Sequence, residues 1–194
     1  MIELAAFLGN PGTRYERTRH NVARRLGERL VERHAGRFAG KFNGRFALIR
    51  LQGGAAGAGA GHGDAPASNG GAAGKLLVLL PDTFMNRSGE SVGACARYHG
   101  IERRDVLVAH DDVELPFGRV VLRRGGGLAG HNGLRSVAQH LSGNDFARLR
   151  IGIGRPRHGA LSAHVLGAFT PEEEAALEDI ERGVEEALGR LNEV

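Results

Sequence analysis

Five polar residues could carry chemistry in this sequence: Asn10, His20, Asn86, Asp111 and Asn132. A histidine, an aspartate and three asparagines, with no serine or cysteine nucleophile among them, point to water activated by a general base. In that scheme His20 takes the proton, and Asp111 fixes the imidazole tautomer and stabilises the imidazolium. Asparagine amides can position a carbonyl or an oxyanion without changing charge. Each residue also has a plainer reading. A histidine ahead of a helix often caps it or lies on the surface, and Asn10 in Gly9-Asn10-Pro11-Gly12 suits a turn as well as a site. Asp111 and Asp112 also suit ordinary loop acids; with His110 they could form one corner of a metal site, but the absence of a spaced second pair of ligands in the sequence speaks against it. Cys95 falls in a helical apolar stripe and reads as a small buried hydrophobe.

The elements that must position these groups alternate between strands and helices. Apolar runs at 2–8, 45–51, 76–80, 106–109, 119–122 and 148–153 read as strands. Between them, Val22, Leu26, Leu30 and Val31 share a helical face, Ser88 can cap a helix presenting Val92, Cys95 and Ala96, and another helix begins near Asn132. The last element is the clearest. Thr170-Pro171-Glu172-Glu173 holds the cap, the proline at the first helical position and the glutamate three residues on, and an apolar stripe follows from Ala176 to Leu191. This order predicts an α/β fold, one domain over 1–194 with a twisted mixed β-sheet flanked by helices on both faces. Residues 53–74 hold 9 glycines and 8 alanines, and read as a flexible insertion extending a hairpin. Asn10, Asn86, Asp111 and Asn132 all come shortly after strands, where ligands bind in open α/β sheets, and His20 precedes the first helix.

Composition bounds the function. With 194 residues, 41% hydrophobic and 25% charged, the chain reads as globular, and a single cysteine allows no internal disulfide, which suits a reducing cytoplasm. Neither a secretory leader nor a membrane span is expected. Charge is asymmetric. After Thr170, nine acidic residues face only Arg182 and Arg190, a balance of −7, so the net charge of +4 leaves +11 on residues 1–170. A basic body of this kind suits a polyanionic partner such as nucleic acid, or reflects a genome rich in arginine codons. Gly125-Gly126-Gly127-Leu128-Ala129-Gly130 matches a dinucleotide-binding pattern, but it comes late in the chain and runs into His131-Asn132. A glycine loop that lets backbone approach a phosphate or a peptide is more economical.

Five ordered motifs are similar to those of bacterial peptidyl-tRNA hydrolase: Leu8-Gly9-Asn10-Pro11-Gly12 with Tyr15 and Thr18-Arg19-His20-Asn21; Thr83-Phe84-Met85-Asn86 with Ser88-Gly89; Val108-Ala109-His110-Asp111-Asp112 with Leu115-Pro116 and Gly118; Gly125-Gly126-Gly127 with Gly130-His131-Asn132-Gly133-Leu134; and Arg148-Leu149-Arg150-Ile151-Gly152-Ile153-Gly154. The resemblance implies cleavage of the ester joining a peptide to the 3′ ribose of tRNA, without cofactor or metal, by a cytoplasmic monomer. It implies His20 as base with Asp111 as its partner, and Asn10, Asn86 and Asn132 as groups positioning peptide, water and terminal adenosine. By the same matching Tyr15, Phe84 and Met85 line the groove, and Arg123 and Arg150 clamp an acceptor-stem phosphate. Asp82, Leu128-Ala129 and the 53–74 insertion depart from the family pattern. The other function class is a non-catalytic RNA-binding relative, which the complete set of His20, Asp111 and three asparagines argues against.

Overall fold

A computed structural model describes residues 1–51, 74–156 and 158–191. The chain runs β1 (Leu4–Phe7), α1 (Val22–Arg33), β2 (Ala39–Lys41), β3 (Gly44–Leu51), β4 (Gly74–Pro81), α2 (Ser88–His99), β5 (Val106–Asp112), β6 (Val120–Arg124), α3 (Asn132–His140), β7 (Ala147–Gly152), α4 (Leu161–Leu166), α5 (Pro171–Ala175) and α6 (Leu177–Gly189). One mixed sheet has the order β2-β3-β4-β1-β5-β7-β6. Its centre is parallel, with β1 between β4 and β5 and β7 beyond β5, while β2, β3 and β6 pair antiparallel. The α/β fold with helices on both faces is therefore the observed one.

Strand alternation sorts the core into two layers. Ala5, Phe7, Leu107, Ala109, Leu149 and Ile151 face α1 and α6, and Leu4, Ala6, Leu8, Val106 and Val108 face α2 and α3. Phe7 is fully buried, and Gly27 of α1 crosses it so closely that an added Cβ would lie 2.6 Å from its ring. Burying such a side chain contributes about 1.5–3 kcal/mol.

Several boundaries differ from the sequence reading. The first strand covers only Leu4–Phe7: Leu8 N still donates to the Ala109 carbonyl of β5, but the Leu8 carbonyl turns away to accept from Arg24 N. The strand expected at 106–109 runs on to Asp112, since its backbone continues to pair with Arg150, Ile151 and Gly152 of β7. The capping box at Thr170 is present, but the terminal helix is interrupted at Ala176 and forms α5 and α6. The 53–74 insertion lies outside the described residues except Gly74, which pairs opposite Leu51.

Chain order reverses direction across the sheet at β1, with β4 on one side and β5 on the other, so the crevice at the carboxyl ends of β1 and β5 is where such sheets bind ligands. α2 and α3 pack side by side on one face of the sheet, and Gly89 makes their approach possible: a Cβ there would lie 2.1 Å from the Ser136 carbonyl oxygen. Gly89→Ala should therefore cost about 1–3 kcal/mol by overpacking. Gly189→Ala, where a Cβ meets nothing, should be neutral or slightly stabilising. Denaturant midpoints of the two variants measure the difference; equal midpoints would show that α2 and α3 are not held at this contact.

Candidate active site

The site is built around one carboxylate. Asp111, near the end of β5 and 3% exposed, presents Oδ1 to two imidazoles: His20 Nδ1 at 2.8 Å and His131 Nε2 at 3.1 Å. His20 comes from the 3₁₀ turn Arg19–Asn21, whose flank is pinned by Arg19 N donating to the Gly167 carbonyl and by the bridge from Thr18 to Ala168. His131 caps α3, and its Nδ1 accepts from Leu134 N at 3.2 Å. That bond fixes the tautomer, because a ring nitrogen facing an N–H must be the unprotonated one; Nε2 then carries the hydrogen and donates to Asp111. Burial pushes the Asp111 carboxyl up, but the two histidines together outweigh it and hold the group well below the usual carboxylate range.

His20, Asp111 and His131 offer three ligand atoms within 4.8 Å of one another. His131 Nε2 already donates to Asp111, so a cation on that nitrogen would have to displace this bond and reverse the His131 tautomer against Leu134 N. The trio fits a proton relay better than a metal site.

A groove of ≈ 260 Å³ opens over the trio, lined also by Asn132 and by Val113, Leu161 and Val165. Asn132, exposed as the first residue of α3, thus shares the groove with His20 and Asp111. Asn10 sits elsewhere and is tied into a network. Its Oδ1 accepts from Met85 N at 2.8 Å, its N–H donates to Asn21 Oδ1, and its carbonyl accepts from Asn21 Nδ2. These bonds join the segment after β1, at Asn10 and Asn21, to the segment after β4, at Met85. Met85 supplies that N–H while its side chain packs in the core, where Gly133 leaves room for its sulfur. Asn86 follows on the same 3₁₀ turn, exposed, and the Phe84 and Tyr15 rings meet edge to face at 6.3 Å.

Arg123 and Arg150 line a second cavity of ≈ 170 Å³ with Arg148 and the glycine loop. Arg150 Nε donates to Asp112 Oδ2 at 2.7 Å, while Arg123 is exposed. Arg148 is buried and acts on the loop: its guanidinium donates to the Gly127 carbonyl at 2.6 Å and the Gly126 carbonyl at 2.9 Å. Gly125, Gly126 and Gly130 stand at φ +62°, +99° and +72°, conformations glycine adopts without strain, and these turns deliver His131 to the groove. Cys95 is buried and its thiol is pushed up to about 11 by desolvation, which suits a core residue.

The peptidyl-tRNA hydrolase family model matches residues 4–193. The curated peptidyl-tRNA hydrolase of Geotalea daltonii is 41% identical over 191 residues, covering 98% of this chain and 90% of that protein. That of Treponema pallidum is 41% identical and covers 98% and 87%. A crystal structure of the peptidyl-tRNA hydrolase of Acinetobacter baumannii superposes with a TM-score of 0.78 at 33% identity, over 96% of this chain and 87% of that one. The chain belongs to the peptidyl-tRNA hydrolase family.

Two residues of this family member escaped functional assignment in the sequence: His131, beside Asn132 in its motif, and Asn21, beside His20. A histidine at a helix start one residue from a candidate asparagine was the available signal for His131. Asn21 gives none, because its work is a pair of bonds to backbone 11 residues away.

His110 is buried, and burial, then the neighbouring His131, pushes it down to about 3, so it is neutral in the fold. A histidine whose folded value lies below its unfolded one near 6.5 contributes its full stability above the unfolded value and loses it as pH falls toward the folded one. Stability should therefore drop between about pH 6.5 and pH 4, and His110→Phe should flatten that drop. Denaturant titrations at several pH values measure it; parallel curves for wild type and variant would contradict the assignment.

Proposed function

We infer that this chain is a peptidyl-tRNA hydrolase, cleaving the ester between a peptide and the 3′ ribose of tRNA and so returning tRNA to translation. The observation that carries the mechanism is the Asp111 carboxylate against His20 Nδ1. With Nδ1–H donated to Asp111, Nε2 of His20 is left as the base. A water in the groove gives a proton to Nε2 as its oxygen attacks the ester carbonyl. The tetrahedral intermediate then expels the ribose 3′ oxygen, which recovers a proton from the imidazolium that Asp111 stabilises. The products are a peptide acid and free tRNA. An ester leaves readily enough as an alkoxide for this route to need no covalent intermediate. Asn132 is suited to orient the water or the carbonyl, and Asn10, with Oδ1 engaged by Met85 N, has its amide NH₂ to offer a peptide. Asn86, Phe84 and Tyr15 would continue the peptide path.

The RNA lies, on this reading, across Arg123 and Arg150. These arginines share a sheet face with Val121, whereas Val120 and Leu122 pack toward α6 on the other face. On that other side, the acidic tail is paired with α1: Glu174 with Arg25, Glu181 with Arg29 and Arg33, and Glu185 with Arg33. Positive charge is thus partly neutralised away from the groove and kept beside it. Among the described residues no helix is long and apolar enough to cross a membrane, and we read the protein as a cytoplasmic monomer acting on the acceptor stem and 3′ end.

His20→Ala should abolish hydrolysis of N-acetylaminoacyl-tRNA in a folded protein; retention of more than a few per cent of the rate would remove His20 as base. Asp111→Asn should cost up to about 10⁴-fold, by analogy with a triad whose histidine is left in the wrong tautomer. An N-blocked ester should be cleaved far faster than its free-amine counterpart, because an α-ammonium in the groove would lose hydration without a partner. Arg123→Ala and Arg150→Ala should weaken acceptor-stem binding and lower the slope of log affinity against log salt by about one per lost phosphate contact. Unchanged slopes in both would put the RNA elsewhere.

A further inference from the structure

Asp112 and Arg150 stand on the same face of the sheet. The parallel register of β5 and β7 sets His110 beside Arg150 and Asp112 beside Gly152, so Asp112 lies one alternation beyond Arg150 on the neighbouring strand and reaches back to it. Its Oδ2 accepts from Arg150 Nε at 2.7 Å. The carboxylate is itself fixed: Asp112 is 5% exposed, its Oδ1 accepts from Glu114 N at 2.8 Å, and its carbonyl accepts from Ile153 N at 3.0 Å. A buried carboxylate needs such partners in place of water.

Arg150 is thereby used unlike its neighbours. Arg148 spends both Nη nitrogens on the carbonyls of Gly126, Gly127 and Asn144. Arg123 is exposed and makes no hydrogen bond or ion pair among the described residues. Arg150 is tied at Nε alone. Its Nη nitrogens make no hydrogen bond among the described residues and are not enclosed, and the side chain lines the cavity shared with Arg123 and the glycine loop. A guanidinium gripped at Nε keeps its plane and direction, where an untethered one sweeps about a long stem. Two parallel N–H donors held in this way match two oxygens of one phosphate.

We propose that Asp112 is a positioning residue for RNA binding, holding Arg150 so that its Nη pair meets two oxygens of one RNA phosphate. This rests on the reading of the arginine cavity as the tRNA phosphate site. The competing role of the same carboxylate is to quench Arg150 as a counterion, and the two roles predict opposite signs. A positioning carboxylate raises what Arg150 contributes to RNA affinity, because the long side chain is already ordered before the phosphate arrives. A quenching carboxylate lowers that contribution.

The test is a double-mutant cycle on the binding of a deacylated acceptor-stem RNA. The factor in affinity lost on Arg150→Ala is measured in the wild-type protein and again in the Asp112→Ala background. It should be smaller in that background by about two- to tenfold, the cost of immobilising one long side chain on binding. Arg123→Ala, whose side chain Asp112 does not touch, should cost the same factor in both backgrounds. Asp112→Asn, whose one amide oxygen cannot accept from both Glu114 N and Arg150 Nε, should move the Arg150 factor the same way, and it serves if the alanine variant does not fold. No loss on Arg150→Ala in the wild-type protein, an Arg150 factor unchanged or larger in the Asp112 variant, or an Arg123 factor that falls along with it would overturn the proposal. Hydrolysis of N-acetylaminoacyl-tRNA by wild type is measured alongside. Cleavage without the coupling removes the role of Asp112 alone, and coupling without cleavage removes the hydrolase reading alone.

Discussion

A carboxylate taken out of water is costly unless hydrogen-bonded partners replace its hydration, and Asp111 is such a group: buried on β5, with Oδ1 receiving both His20 Nδ1 and His131 Nε2. Removing either imidazole would leave the charge underpaired, so the three side chains stand or fall together. The requirement reaches outward. His20 can meet Asp111 only if the turn at Arg19–Asn21 is held against the strand ends, which the Asn21 bonds to Asn10 and the Thr18–Ala168 bridge accomplish. His131 can meet it only if α3 starts at the right place, which the glycine loop and its Arg148 clamp arrange.

Charge is organised on the same principle of assigned partners. A formal count contrasts a basic body with an acidic tail, but in the fold Glu173, Glu174, Glu181 and Glu185 meet Arg19, Arg25, Arg29 and Arg33. These pairs are partly buried, so desolvation offsets much of their attraction and individually they stabilise little. Their larger effect is on the field, because they quench the cations that lie away from the groove. Arg123, Arg148 and Arg150 instead crowd one another with Asp112 as counterion, and burial followed by its arginine neighbours pulls Arg148 below its ordinary value. On the proposed function, that imbalance is what would draw an RNA phosphate.

Much of this was legible in the residues. Apolar runs announced the central strands, and Thr170-Pro171-Glu172-Glu173 announced its capping box, because both depend on local periodicity and local bonds. Polar residues placed after strands brought His20, Asp111 and Asn132 to one groove. What escaped depends on distant backbone. The strand ending at Asp112 is prolonged by the β7 ladder and not by its own hydrophobicity. The turn Phe42-Asn43 takes positive φ without glycine, sustained by the β2–β3 pairing and by Phe42 packing on Tyr98 and His99. His131 was hidden by its neighbour, since only the fold brings a second imidazole to a carboxylate 20 residues away in sequence.

Histidine tautomers measured by nitrogen-15 NMR on ring-labelled protein at mildly alkaline pH test the shared carboxylate most directly. The geometry requires His20 to carry its hydrogen on Nδ1, leaving Nε2 free toward the groove, while His131 carries its hydrogen on Nε2. A His20 protonated at Nε2, with Nδ1 bare toward Asp111, would contradict the account, because no base would then face the water.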